Sequence, residues 1–496
     1  MSSPAAQIDR ELAQPLCVDL DGTLVKSDTL VDSALVLARL HPAQLLHLSG
    51  WLMQGKAALK RHITAAVQLD VAHLPYNREL LQYLEQQHAL GRPLYLATAA
   101  DAALAQRIAD HLGLFTGVLA SDGSTNLAGH NKLAAFQERF GDNFSYIGNA
   151  SPDIPLLTSC QSPMVANPTR SLRSGLRSAR ITPERCFQER VSPFKAWPKA
   201  VRVHQWAKNT LIFLPLLLAH TWSRGLLAAA LLAFLSFGLC ASATYIVNDL
   251  LDLEADRQHP RKKRRPFASG DLSAISGVLV ILLFMVLSLV LALMVPRALT
   301  LFSPGAFLVY PYKFVMWLGI YLVTTLAYSL RLKRAMLVDV IVLSGLYTIR
   351  ILAGSAATGV AVSTWLAGFS IFFFLSLAFV KRFAELESLL SRGKSSPLGR
   401  GYHVSDIEQL RSFGSASGYA SVVVLTLYIS NLDAAQLYQH TNRLWLLVPV
   451  LLLWISRLWL LASRGQLNED PVVYAITDRR SLMMGVLVVA IVLSAL

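Results

Sequence analysis

The sequence predicts an N-terminal α/β domain with a helical insertion, followed by an all-α polytopic membrane domain of about nine transmembrane helices. Three observations predict this. The chain is 54% hydrophobic and 15% charged, with a mean hydropathy of +0.45, a balance that excludes an ordinary soluble enzyme. The apolar excess is uneven: residues 1–195 read as a soluble domain, whereas 208–496 form a succession of apolar runs of roughly membrane-spanning length. The cations, finally, are rich in every other loop between those runs.

The first fifteen residues are polar and lack an apolar core, so no signal peptide is expected. Cys17, Cys160, Cys186 and Cys240 form neither a CxxC pair nor a disulfide ladder, which fits a reducing cytosol for the soluble part. Pro15 to Leu24 reads as a short apolar strand ending in Asp19-Leu20-Asp21-Gly22-Thr23-Leu24. Two aspartates two residues apart at a strand end can place one carboxylate as nucleophile and the other as acid/base over a metal. A helical stretch over about 32–85 follows, then a second apolar strand, Leu94 to Ala99, carrying Thr98.

This pattern resembles the HAD phosphohydrolase family, whose later elements occur in order. Thr98 stands where the family binds phosphate, Lys132 in Gly129-His130-Asn131-Lys132 where it neutralises phosphate and nucleophile, and Tyr146-Ile147-Gly148-Asn149 with Asp153 where a metal-binding turn is found. The resemblance implies that Asp19 forms an aspartyl-phosphate, that Asp21 protonates the leaving group, that Thr98 and Lys132 hold the phosphate, and that Asp19, Asp21 and Asp153 share Mg²⁺. It also implies that 32–85 is a cap over the site. Asn149 departs from the pattern, standing where the family usually has Asp. The alternative is a degenerate domain kept for folding or docking. Downstream, Arg170, Arg173, Arg177 and Arg180 fall on one helical face, suited either to anionic headgroups or to a solvated last helix. The expected division is 1–184 for the α/β domain, 185–200 for a linker and 201–496 for the membrane domain.

Spans of ~20 residues centre near 215, 236, 284, 322, 346, 371, 423, 453 and 489. Cations crowd the second-to-third loop (Arg257 and Arg261 to Arg265), the fourth-to-fifth (Arg331, Lys333, Arg334), the sixth-to-seventh (Lys381, Arg382, Arg392, Lys394, Arg400, Arg411) and the eighth-to-ninth (Arg464, Arg479, Arg480). These loops and the N-terminal domain are therefore expected on the cytosolic side of a bacterial-type inner membrane, with the C-terminus outside. The net charge of +14 sits beside the spans, so lipid and phosphate explain it, and nucleic-acid binding is not expected. Nothing in the chain specifies an oligomeric state.

At the end of the second span lies Asn248-Asp249-Leu250-Leu251-Asp252-Leu253-Glu254-Ala255-Asp256. On a helix Asp249, Asp252 and Asp256 share one side, with Tyr245 a turn above and Asn248 beside them. Carboxylates at a membrane mouth are costly unless they hold a cation, and Mg²⁺ prefers oxygen ligands shared with phosphates. The bland reading is a charged helix end marking the interface.

The stretch resembles the first Asp-rich motif of the UbiA prenyltransferase superfamily. With its continuation through Arg257-Gln258-His259-Pro260 to Gly270, it is similar to the decaprenyl-phosphate phosphoribosyltransferase branch. Arg202 to Asn209, Tyr328-Ser329 with Lys333 and Asp339, Gly345 with Arg350, Lys381-Arg382 with Glu385-Leu386, and Glu469-Asp470-Pro471 support it. The resemblance implies Mg²⁺ on Asp249, Asp252 and Asp256, assisted by Asn248, and a diphosphate leaving from phosphoribosyl diphosphate (PRPP). Lys262 and Arg265 would hold PRPP phosphates; Lys208, Lys333, Lys381 and Arg382 are candidates for polyprenyl phosphate and the remaining oxygens. Asp339 and Arg350, eleven apart on one span, should face the bundle interior, where an unpaired ion avoids a cost of ~2.5–3.5 kcal/mol. The implied enzyme is a Mg²⁺-dependent phosphoribosyltransferase whose lipid product the HAD-like domain dephosphorylates. A prenyltransferase using polyprenyl diphosphate and an aromatic acceptor, and a scaffold or transporter with an inert phosphatase-like domain, are the competing readings.

Overall fold

The structure is a computed structural model that describes residues 13–122, 126–302, 309–390, 401–431, 434, 437–467 and 471–496. Of the residues named above, Arg392, Lys394, Arg400, Glu469 and Asp470 lie outside these. Contacts divide the chain into two compact units, Met1–Val201 with Tyr245–Ile281, and Arg202–Thr244 with Leu282–Leu496.

The first unit is built on a six-stranded, all-parallel sheet: β1 (Leu16–Val18), β2 (Leu94–Asp101), β3 (Gly117–Ser121), β4 (Ser145–Gly148), β5 (Ser162–Ala166) and β6 (Arg185–Phe187), in spatial order β3-β2-β1-β4-β5-β6. Parallel sheets need both faces covered, and β1 shows why it complies. Leu16 and Val18 pack into one apolar cluster with Leu96 and Ile147, while Cys17 packs into another with Phe136, Phe144 and Tyr146. Alternate side chains thus bury opposite faces. The chain runs outward from β1 in both directions, first through β2 and later through β4, so a crevice opens at the carboxyl ends of these strands.

Helices cover the faces: α1 (Thr29–Leu40), α2 (Lys56–Ala66), α3 (Arg78–Ala89), α4 (Ala102–Leu112), α5 (His130–Phe140), α6 (Ile154–Ser159), α7 (Arg170–Ser178) and α8 (Pro193–Val201). The stretch between β1 and β2 is helical, as expected of a cap. Asp28 caps α1 by accepting from the amides of Leu30 and Val31, and Asn77 caps α3 through the amide of Leu80. α7 drives Leu172 and Leu176 into the core, leaving Arg170, Arg173 and Arg177 exposed. Arg180 does not join them: the helix ends at Ser178, and Arg180 has φ 56. The segment read as a linker supplies β6 and α8.

A 3-10 helix (Val203–Phe213) and α9 (Leu214–Ala219) come next, then α10 (Arg224–Leu251), α11 (Leu253–Gln258), α12 (Ala274–Phe302), α13 (Lys313–Leu330), α14 (Val338–Thr358), α15 (Thr364–Leu390), α16 (Ile407–Ile429), α17 (Leu447–Ser463) and α18 (Arg479–Ala495). Among the described residues seven helices are long and apolar enough to cross a membrane: Arg224–Leu251, Ala274–Phe302, Lys313–Leu330, Val338–Thr358, Thr364–Leu390, Val404–Ile429 and Thr441–Ser463. They coincide with the seven inner expected spans.

The outer two differ. Near 215 the chain forms the 3-10 helix and only six residues of α-helix, because polar side chains are drawn inward: the Trp206 indole donates to Ser242 Oγ at 2.9 Å, and Asn209 Oδ1 accepts from Arg350 Nε at 2.9 Å. Near 489, α18 has 17 residues, or ~25 Å at ~1.5 Å per residue, short of a ~30 Å hydrocarbon layer. Of the seven, α12 is the most apolar; Leu279, Leu282, Val286 and Leu293 are exposed along it, as a lipid-facing helix requires.

Candidate active sites

Asp19 leaves the carboxyl end of β1, its amide bonded to the Ile147 carbonyl at 3.0 Å. The chain then turns tightly: Leu24 N donates to Asp19 O, and Gly22 N to Ser27 O, with Gly22 at φ +77. A Cβ at Gly22 would overlap the Asn149 amide, so only glycine fits there. Lys132, from the first turn of α5, places Nζ 2.8 Å from Asp19 Oδ1 and 3.1 Å from the Tyr146 hydroxyl. That hydroxyl donates to Asp153 Oδ1 at 2.8 Å, while Asp153 Oδ2 accepts from the amides of Asn149 and Ala150 at 3.0 Å each. Thr98 is fully buried on β2, where the register Val18↔Leu96 brings it to the Asp19 end of the sheet.

Burial pushes Asp19 up to about 6, against the lowering pull of Lys132. Burial, with Asp28 nearby, pushes Asp21 up to about 7, although the Thr29 amide donates to Oδ1 at 2.7 Å. Burial alone would lower Lys132, but Asp19 and Asp153 hold it above its ordinary value. The two aspartates thus differ in surroundings: Asp19 is ion-paired with Lys132, whereas Asp21 has the higher pKa.

The sequence reading missed Lys60. From α2 its Nζ donates to Ala99 O at 2.6 Å and to Asn126 Oδ1 at 2.8 Å. It carries a cation into the site beside Thr98, and burial lowers its pKa. Among the cap's several cations no motif singled it out.

Asp153, expected as a metal ligand, has both oxygens engaged in holding the turn that carries Asn149. Among the described residues no three His, Cys, Asp or Glu side chains group to hold a metal. The oxygen donors around the turn are Asp19, Asp21 and the Asn149 amide, a reduced set that suits a hard ion keeping several waters.

In the Asp-rich stretch, Asp249 and Asp256 are 3% and 2% exposed. Both point at one atom: Arg265 Nη1 lies 3.0 Å from Asp249 Oδ1 and 2.6 Å from Asp256 Oδ2. The helix is not continuous here, as α10 ends at Leu251 and Asp252, partly exposed, is the N-cap of α11. Helical hydrogen bonds nevertheless run through it, from Asp252 N to Asn248 O at 3.0 Å and from Asp256 N to Asp252 O at 2.8 Å. Burial raises Asp256, with Arg265 opposing. Arg265, expected on a substrate phosphate, here pairs with both carboxylates; Lys262 is exposed in the turn that follows α11. Asn248 is partly buried beside the pair in sequence. The all-oxygen donors Asp249 and Asp256 fit Mg²⁺, in competition with the guanidinium.

In the second unit Asp339 and Arg350 are both buried on α14, as expected, but belong to separate clusters. Asp339 pairs with Arg382 and accepts from the Tyr402 hydroxyl; Arg382 also bonds Glu385 and the Tyr328 hydroxyl. All three Arg382 nitrogens are thus engaged, and its pairing with Asp339 joins α15 to α14. Arg350 reaches Asn209 and the Tyr321 hydroxyl, boxed by the rings of Phe237, Tyr321 and Tyr347. Lys208, buried, lies 5.7 Å from the Tyr347 ring centre. Lys333 and Lys381 are partly buried.

A helical membrane domain joined to an α/β domain with a parallel sheet, with buried acidic residues in both stretches, defines a two-module membrane protein of transferase class. The UbiA prenyltransferase family model matches residues 210–477, and the chain belongs to that family. It is 37% identical to the protein y4nM of Sinorhizobium fredii over 484 residues, 97% of this chain and 90% of that one. It is 35% identical to the nodulation protein NoeC of Azorhizobium caulinodans over 291 residues, 59% of this chain and 90% of that one. With the decaprenyl-phosphate phosphoribosyltransferase of Mycobacterium tuberculosis it shares 35% identity over 193 residues, 38% of this chain and 59% of that one.

Proposed function

We propose that the membrane module transfers 5-phosphoribosyl from PRPP to a polyprenyl phosphate and that the HAD-like module removes the 5-phosphate. The observation that carries the reading is the convergence of Asp249 and Asp256 beside the basic turn of Lys262 and Arg265, in a chain similar to a decaprenyl-phosphate phosphoribosyltransferase. Asp249 and Asp256, with Asn248 and Asp252 adjoining, would hold Mg²⁺, which when bound neutralises the departing diphosphate. The lipid phosphate oxygen bonds to ribose C1 as the C1–O bond to diphosphate breaks. This chain's part is alignment and charge, with Lys262 and Arg265 as phosphate ligands and Lys208, Lys333 and Lys381 as candidates for the lipid phosphate.

In the second step Asp19 Oδ attacks the 5-phosphorus, the ribose oxygen leaves with the proton of Asp21, and water hydrolyses the aspartyl-phosphate with Asp21 as base. Lys132 and Thr98 hold the phosphate. The alternation of loop charge supports a cytosolic location for both steps, and fusion raises the local concentration of the second site to roughly millimolar.

The test offers purified protein labelled PRPP with polyprenyl phosphate, in parallel with prenyl diphosphate and an aromatic acid. Label transfer from PRPP is expected; its absence, or prenylation of the acid, refutes the reading. With Asp19→Asn the phosphorylated ribosyl lipid should accumulate; an unchanged product ratio refutes the second step.

A further inference from the structure

α11 presents two faces. Glu254, Arg257 and Gln258, at i, i+3 and i+4, share one side of the helix, and each is bonded to the α/β domain. Glu254 Oε1 accepts from the Asp70 amide at 3.2 Å, and Gln258 Nε2 donates to Asp70 Oδ2 at 2.8 Å. Arg257 Nη2 lies 2.9 Å from Asp32 Oδ2, in an ion pair with side chains only 3% and 2% exposed. Ser27 completes this contact, accepting from Arg257 at 3.1 Å and donating to Asp32 at 2.6 Å. Further along the loop, Gly270 has φ +74, and a Cβ there would come 2.7 Å from the Lys26 Cβ. Asp256, next to Arg257, points elsewhere, to Arg265.

An ion pair this buried has one low-energy arrangement, because separating its partners would leave an uncompensated charge out of water. Fixing Arg257 fixes the rotation of α11, and with it the direction in which Asp256 leaves the helix ~100° away. We propose that Asp32, seconded by Ser27 and Asp70, is a positioning residue for the acidic pair: the α/β domain holds α11 so that Asp256 converges with Asp249. The transferase metal loop is thus completed by the phosphatase-like domain, and the fusion is a structural requirement of the first reaction as well as a source of the second. This rests on the reading of Asp249 and Asp256 as metal-diphosphate ligands. Ser27 also accepts from the Gly22 amide, and Thr29 donates to Asp21, so one short segment supports both sites.

The test uses the full chain in lipid nanodiscs, in an Asp19→Asn background that disables the other site. It compares Asp32→Asn, Arg257→Gln and the exchange Asp32→Arg/Arg257→Asp. Mn²⁺ affinity is read by electron paramagnetic resonance, and backbone order by hydrogen exchange of 253–258 alongside the amides of β1 and β2. Each single change should weaken Mn²⁺ binding roughly tenfold and deprotect 253–258 while the sheet stays protected; the exchange should recover both. Unchanged affinity and protection in Asp32→Asn overturn the proposal. So does loss of sheet protection in step with the loop, which would make the pair a mere stabiliser of the domain. Neither readout requires turnover, so a failure to use PRPP would refute the proposed reaction and leave this result standing.

Discussion

Arg382 and Asp339 are joined inside the helix bundle, Nε to Oδ2 at 2.6 Å, with 2% and 0% of their side chains exposed. The pair locks α15 to α14, and Tyr402 and Tyr328 share its hydrogen bonds. Asp339→Ala should strand the guanidinium and cost about 3–5 kcal/mol, whereas Asp339→Leu with Arg382→Met should be nearly neutral. Thermal unfolding in detergent would separate the two outcomes; equal losses would contradict the pairing.

The acidic turn after β1 carries a pH signature. Asp19 and Asp21 rise from 3.8 to about 6 and about 7, so the folded state binds their protons more tightly than the unfolded chain. Their contribution to stability is full below pH ~4 and is lost as pH rises through about 6 to 7. Without divalent ions the melting temperature of the domain should therefore fall across that window. Asp21→Asn should flatten the fall and Mg²⁺ should offset it; a rise toward neutrality would refute the assignment.

Lys60 ties the cap to the strand that bears Thr98. Its replacement by Met should lower kcat/KM for a small phosphomonoester roughly tenfold, the worth of one charge-assisted hydrogen bond. Steady-state kinetics checks this, and an unchanged value would assign Lys60 to cap packing alone.

Arg265 competes with any cation for Asp249 and Asp256. Arg265→Gln should tighten Mn²⁺ binding several-fold, roughly 1 kcal/mol, yet slow diphosphate departure for want of a phosphate ligand. Paired measurements of metal affinity and single-turnover rate would show the opposed signs; a parallel loss of both would mean the arginine only supports the fold.

Much of this was legible beforehand because it lies in local patterns. Leu16 to Asp21 announces a strand and the acidic turn at its end, and Asp249 and Asp256, seven apart, return to one helical face. What stayed hidden depends on partners distant in sequence. The fork of Arg265 onto both carboxylates and the engagement of Asp153 by Tyr146 and two amides arise only on folding. The run around 215 reads as a full span by hydropathy, but Asn209 is claimed by Arg350, 141 positions away, and the residues before Leu214 form a 3-10 helix that leaves only six α-helical residues. Arg257 counted only as one more loop charge until Asp32 met it.

The length of α12 carries a consequence for the lipid. Its 29 residues make a rod of ~43 Å, against ~30 Å of hydrocarbon. Such a helix must lean, protrude or thicken the bilayer around it. The thickness of the host membrane therefore acts on this helix, and α12 begins only four residues beyond Gly270, where the loop that holds Arg265 packs against Lys26. Acyl-chain length is then a variable of the protein itself: vesicles of graded thickness should tune the order of that loop with no change to its sequence.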